Sequence, residues 1–179
     1  WGIVTILPTT QGGLFPSHQS LADDLIASLD WLTTEGGRKD SFWFGAIDGG
    51  ERGLLGHSMG GGAALLAAAG DPRTDAVSVL AAADTNPSSI AAASTVRCAT
   101  RLIVGDDDSI VPPSSTIGMY QNLAGPRQDV TIVGGFHCGF IDNSILFCDS
   151  GAITRDTQLG IVHRELAEFL LLYLRNDAA

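Results

Sequence analysis

The chain has 179 residues, 45% of them hydrophobic, and a formal net charge of −10. That length and apolar content suit one globular domain (residues 1–179) with a sizeable core, and no apolar run approaches the roughly 18–20 residues that a membrane span requires. With 10 Lys and Arg against 20 Asp and Glu, and no basic cluster to displace counterions, the composition argues against binding a nucleic-acid backbone.

The chain begins at Trp1 with no methionine or signal-like stretch, so an upstream portion is expected to have been removed or omitted. Residues 2–7 form a β-branched run closed by Pro8 and are expected to be a buried strand. From Ser20 to about Thr34, Leu21, Leu25, Ile26, Leu29 and Leu32 recur at helical spacing, with Ser20 as the expected N-cap and Gly36-Gly37 as the stop. Phe42, Trp43 and Phe44 lie in a loop and are expected to pack over the sheet edge or line a pocket.

Residues 52–56 are then a short apolar run, and residues 63–69 a long run of Ala and Leu. Between them stands Gly56-His57-Ser58-Met59-Gly60, which predicts strand, sharp turn and helix with a serine at the apex. The glycines two positions either side permit so tight a turn. The helix behind it aims its first N–H groups at negative charge growing near the serine.

Further strands are expected at 76–80, 101–104 and 130–133, a helix over 114–123, and a last helix over 158–175 with one apolar face. Alternating strands and helices predict a mainly parallel sheet with helices on both faces, an α/β fold. In such sheets chemistry collects at the carboxyl ends of the strands. Ser58, Asp84, Asp108 and His137 all follow strand ends.

A serine hydroxyl needs a base to take its proton, and the base needs an acid to orient it. His137, in the glycine-rich loop after the last strand, is the preferred base. His163 falls within a helix as a surface or packing residue, His18 in an early loop, and His57 at the elbow position that lines a pocket. Asp108 is the preferred acid because Ser-Ile-Val-Pro-Pro follows it and stiffens its loop; Asp84 is the alternative. Asp106 and Asp107 read as solvated loop residues. Cys138 and Cys148 are near neighbours, and a bridge between them would staple the loop around His137 and imply a secreted or periplasmic location; otherwise Cys98, Cys138 and Cys148 are three reduced thiols.

The order Ser, Asp, His is that of the α/β-hydrolases. The segments Gly56-His-Ser-Met-Gly-Gly61, Asp108-Ser-Ile-Val-Pro112 and Gly134-Gly-Phe-His-Cys138 resemble those of α/β-hydrolase serine esterases. The nearest branch holds bacterial cutinase-like polyester hydrolases and chlorophyllase- or dienelactone-hydrolase-like proteins. The resemblance covers nearly the whole chain. It implies a carboxylic ester hydrolase with Ser58 as nucleophile, His137 as general base and then acid, Asp108 as orienting carboxylate, and the Met59 backbone N–H as one oxyanion donor. Ile110, Phe136 and Phe140 are candidates for an apolar acyl pocket, or for core packing. Polyester-cleaving relatives carry a tryptophan where this chain has Asp84-Thr85-Asn86.

By the same resemblance, the strand feeding the second oxyanion donor precedes Trp1 and would lie between residues 2–7 and the elbow strand. An upstream segment or separate chain is therefore expected to complete the sheet. The alternative is that residues 2–7 pair directly with the elbow strand and residues 9–13 supply the donor. An acyltransferase on the same triad and a non-catalytic binding protein on a hydrolase scaffold are the competing functions. No histidine or cysteine spacing suggests a metal, and no dinucleotide or phosphate-loop fingerprint suggests a cofactor.

Overall fold

The computed structural model describes residues 2–9, 17–143 and 146–175. Four strands form one sheet in the order β1-β2-β3-β4, with every neighbouring pair parallel. They span β1 (Gly53–His57), β2 (Ala76–Leu80), β3 (Ala99–Gly105) and β4 (Arg127–Ile132). The helices are α1 (His18–Gly37), α2 (Met59–Gly70), the short α3 (Ser89–Ala92), α4 (Pro113–Asn122) and α5 (Arg155–Arg175).

The alternation of side chains along each strand sorts the helices into two layers. Leu54, Val77, Val79 and Leu102 meet Ala22 of α1, the alanines and leucines of α2, and Met119 of α4 in the larger core. On the opposite face Leu80, Ile103 and Ile132 meet Phe140 and Val162, the latter from α5. Each fully buried side chain of this kind stabilises the fold by roughly 1.5–3 kcal/mol relative to exposure. The run of small residues in α2 lets that helix sit against β1 and β2, where Ala63, Ala64 and Leu65 are almost wholly buried. Arg101, although on an inner strand, spans the α5 face by laying its guanidinium over the Phe169 ring and binding Glu165.

Two expectations fail near the start of the chain. Residues 2–9 form no strand, and Leu7 is 85% exposed. A β-branched run becomes a strand only where a neighbour takes up its N–H and C=O groups. β1 is an edge strand that pairs with β2 on one side and with no described strand on the other, so residues 2–7 do not extend the sheet. Of the stretch 9–13 considered for the second oxyanion donor, residues 10–13 lie outside the described residues. The second failure is in the aromatic loop: Phe42 is 89% exposed and Phe44 also faces solvent, so these two do not cover the sheet edge, whereas Trp43 is half-buried.

Smaller corrections concern helix ends. The N-cap of α1 is Ser17, whose hydroxyl accepts from the Ser20 N–H, so the helix begins earlier than expected and includes His18. α5 begins at Arg155, and residues 89–95, for which no element is expected, form α3 followed by a 3₁₀ turn. A Ser88 hydroxyl that accepts from the Ala91 N–H starts it.

Candidate active site

The site is built at the carboxyl ends of β1, β3 and β4. Ser58 sits between β1 and α2 with φ 56° and ψ −124°, a left-handed conformation that L residues adopt only under constraint. The constraint is local packing. A Cβ on Gly56 would lie 2.1 Å from the Gly60 carbonyl oxygen, so only glycine permits this turn. Hydrogen bonds then hold the apex: the Ser58 N–H donates to Leu80 O, and Ser58 O accepts from the N–H groups of Gly61, Gly62 and Ala83. Ser58 Oγ makes no hydrogen bond among the described residues. Apo sites commonly leave such contacts long until substrate closes them.

His137 and Asp108 come from loops 29 residues apart, yet His137 Nδ1 and Asp108 Oδ2 are 2.8 Å apart. Their side chains are 6% and 0% exposed. The backbone brings the two loops together. A Cβ on Gly105, the last residue of β3, would lie 2.2 Å from the Gly135 carbonyl carbon, so the loops after β3 and β4 meet backbone to backbone. Asp108 Oδ1 accepts from the N–H groups of Ile110 and Val111, which leaves Oδ2 for the imidazole. A carboxylate so placed accepts Nδ1–H, fixes that tautomer, and turns the Nε2 lone pair outward.

Asp84, the alternative acid, is occupied elsewhere. Its carboxylate accepts from the N–H groups of Thr85 and Ile90 and from the hydroxyls of Ser88 and Ser89. Burial alone would raise its pKa; those hydrogen bonds bring it below the ordinary carboxylate value. Asp106 and Asp107 are not merely solvated. Asp106 Oδ1 accepts from the Gly134 N–H at 2.6 Å, and Asp107 Oδ2 from the Ala152 N–H at 2.9 Å, tying the acid loop to the strand end beside it.

His57 packs its ring against His137, with centroids 4.5 Å apart, and its Nε2 lies 3.2 Å from the His137 carbonyl oxygen. Burial first, and then the neighbouring His137, push its pKa down to about 4, so it stays neutral near pH 7. A neutral His57 with Nε2 protonated donates to that carbonyl and supports the loop that carries His137. Among the remaining candidates, Met59 and Ile110 are each 45% exposed, at the mouth of the site. Phe136 and Phe140 are buried, and Phe140 belongs to the core on the α5 face, 5.8 Å from the His57 ring. His163 is exposed on α5, and His18 accepts from the Asn86 N–H.

Two residues packed beside His137 escaped the sequence reading. Gln158 is fully buried in α5 and bonds both backbone groups of one residue: Oε1 accepts from the Phe136 N–H and Nε2 donates to Phe136 O. Asp149 accepts from three backbone N–H groups, those of Ser109, His137 and Cys138. Neither lies in a recognisable motif; a buried glutamine on an apolar helix face was the one available signal for Gln158. Cys138 and Cys148 are joined in a disulfide, with Cα atoms 5.6 Å apart, and Cys98 is the free thiol, pushed up to about 11 by burial. The bridge is compatible with an extracellular location.

A parallel sheet flanked by helices, with a serine at a strand-to-helix elbow and a buried His–Asp pair at neighbouring strand ends, is the architecture of an α/β-hydrolase. The chain belongs to the PET hydrolase-like (PETase) family, whose profile matches residues 2–146. That family is one of ester hydrolases within the α/β-hydrolase fold. No curated protein matches the chain.

Proposed function

We propose that the protein is a serine carboxylic ester hydrolase acting through an acyl-enzyme, with Ser58 as nucleophile, His137 as base and Asp108 as orienting acid. The observation that carries this reading is the buried 2.8 Å contact between His137 Nδ1 and Asp108 Oδ2, together with the elbow conformation of Ser58. His137 Nε2 takes the proton of Ser58 Oγ as that oxygen attacks the ester carbonyl carbon. The carbonyl oxygen becomes an oxyanion, which the Met59 N–H at the start of α2 stabilises along with the helix dipole. The C–O bond to the alcohol then breaks, and His137 passes its proton to the departing alkoxide oxygen. Water repeats the sequence on the Ser58 ester and releases the acid.

Family membership supports esters, polyesters among them, as the substrate class. The loop that carries an aromatic clamp in polyester-cleaving relatives holds Asp84-Thr85-Asn86 here, and the hydrogen bonds of Asp84 turn that loop into a helix cap. Soluble short-chain esters are therefore the first substrates to assay. Ser58→Ala is expected to abolish turnover of short nitrophenyl esters and labelling by a fluorophosphonate while the circular dichroism spectrum stays unchanged. Retained turnover in that variant would remove the nucleophile and the mechanism with it.

A further inference from the structure

Resting on the Ser58–His137–Asp108 reading, we propose that Asp149 is a positioning residue that locks the base loop onto the acid loop. Its Oδ2 accepts from the His137 N–H at 2.9 Å and from the Ser109 N–H at 3.2 Å. Oδ1 accepts from the Cys138 N–H at 2.9 Å. One carboxylate thus holds the amide of the proposed base itself and the amide of the residue next to the proposed acid. The two loops already meet where Gly105 faces Gly135 and where Asp106 takes the Gly134 N–H, and the Asp149 bonds add the tie that lies beside the His137–Asp108 pair itself. Hydrogen bonds to an ionised acceptor are about twice as strong as neutral ones. Burial opposes ionisation of Asp149, but the N–H groups of Cys138, His137 and Ser109 more than offset it and hold its pKa below the usual value.

The disulfide fixes where this carboxylate can be. Cys148 precedes Asp149 and is bonded to Cys138, which follows His137, so the covalent bridge and the Asp149 bonds close on the same short segment. The backbone N–H groups are dipoles without net charge, and they orient Asp149 without adding a cation that would compete with the imidazolium for Asp108.

The test compares Asp149→Ala, Asp149→Asn, Asp71→Ala and Ser58→Ala on a soluble nitrophenyl ester at 25 °C. Asp149→Ala is expected to lower kcat about 100-fold with KM within threefold, because an ångström of misplacement at the reacting groups costs that much. Asp149→Asn, whose amide oxygen can still serve two of the N–H groups, should lose about tenfold. Asp71→Ala removes a loop carboxylate at the far end of the sheet and should lower Tm while leaving kcat unchanged. A kcat for Asp149→Ala within twofold of wild type, or an equal kcat loss in Asp71→Ala, overturns the proposal. If Asp149→Ala does not fold, Asp149→Asn decides, and wild-type kcat there overturns it. An active Ser58→Ala sinks the underlying triad instead, whereas an inactive Ser58→Ala beside a fully active Asp149→Ala sinks this inference alone.

Discussion

The two ends of the sheet hold their aspartates differently. At the amino ends of the strands, aspartates pair with arginines: Arg52 bridges Asp30 and Asp71, and Arg73 bridges the same two carboxylates. Hydrogen bonds from Arg73 to Asp71, and from Arg52 and then Arg73 to Asp30, hold both carboxyls below their ordinary pKa. At the carboxyl ends, Asp84, Asp106, Asp107, Asp108 and Asp149 accept backbone N–H groups. The first arrangement clamps α1 to the loop before β2. The second holds loops in place through peptide N–H dipoles, and in the proposed mechanism Asp108 answers the positive charge that His137 acquires. A guanidinium beside Asp108 would satisfy the carboxylate and weaken its hold on His137.

The sharpest way to break this contrast is at Asp108. In Asp108→Asn the amide oxygen can keep the Ile110 and Val111 N–H groups, but the NH₂ would face His137 Nδ1 and impose the wrong tautomer. A fall in kcat of roughly 10³–10⁴-fold is expected, with little change in Tm. Activity within tenfold of wild type would show that His137 does not depend on this carboxylate.

The next largest effect lies at the other end. Arg52 is 5% exposed, and removing it leaves the buried Asp71 with one cation fewer. Arg52→Ala is expected to cost about 3 kcal/mol in urea unfolding, with kcat at 25 °C unaltered. A loss of kcat without a loss of stability would mean that the two ends are coupled.

The smallest effect concerns pH. His57 has a folded pKa of about 4 against an ordinary 6.5, so between those values the unfolded chain takes up a proton that the folded protein refuses. Stability contributed by neutral His57 is therefore complete above pH 6.5 and is lost as pH falls towards 4. His57→Gln should flatten that slope in denaturation curves measured across the window. The depressed carboxyls at both ends act lower down: their contribution is present above the unfolded value of 3.8 and fades as pH falls through the folded pKa. An unchanged slope between pH 4 and 6.5 in His57→Gln would show that His57 is not the group that titrates in that window.

Much of this site was legible because its parts are local. The elbow is five residues whose glycines have a steric reason, and the strand at 76–80 has the bounds expected for it. Ser58, Asp108 and His137 could be proposed because each follows a run with strand character in a chain that alternates strands and helices. Asp149 could not, since its three partners sit 11, 12 and 40 residues away and no spacing rule links them. Asp106 and Asp107 read as solvated for the same reason. Residues 2–7 misled because β-branching expresses a preference for a strand, and a strand also requires a neighbour.

By itself the sequence determined the fold class, the elbow and the chain order of the proposed Ser, Asp and His, all of which rest on short-range patterns of apolar residues and glycine. It also proposed the Cys138–Cys148 bridge, which the structure forms. Tertiary structure decided which aspartate meets His137, because Asp84 and Asp108 both follow strand ends and only the backbone contact of Gly105 with Gly135 brings one of them to the imidazole. It decided too that residues 2–7 stand outside the sheet, since pairing is a property of two strands.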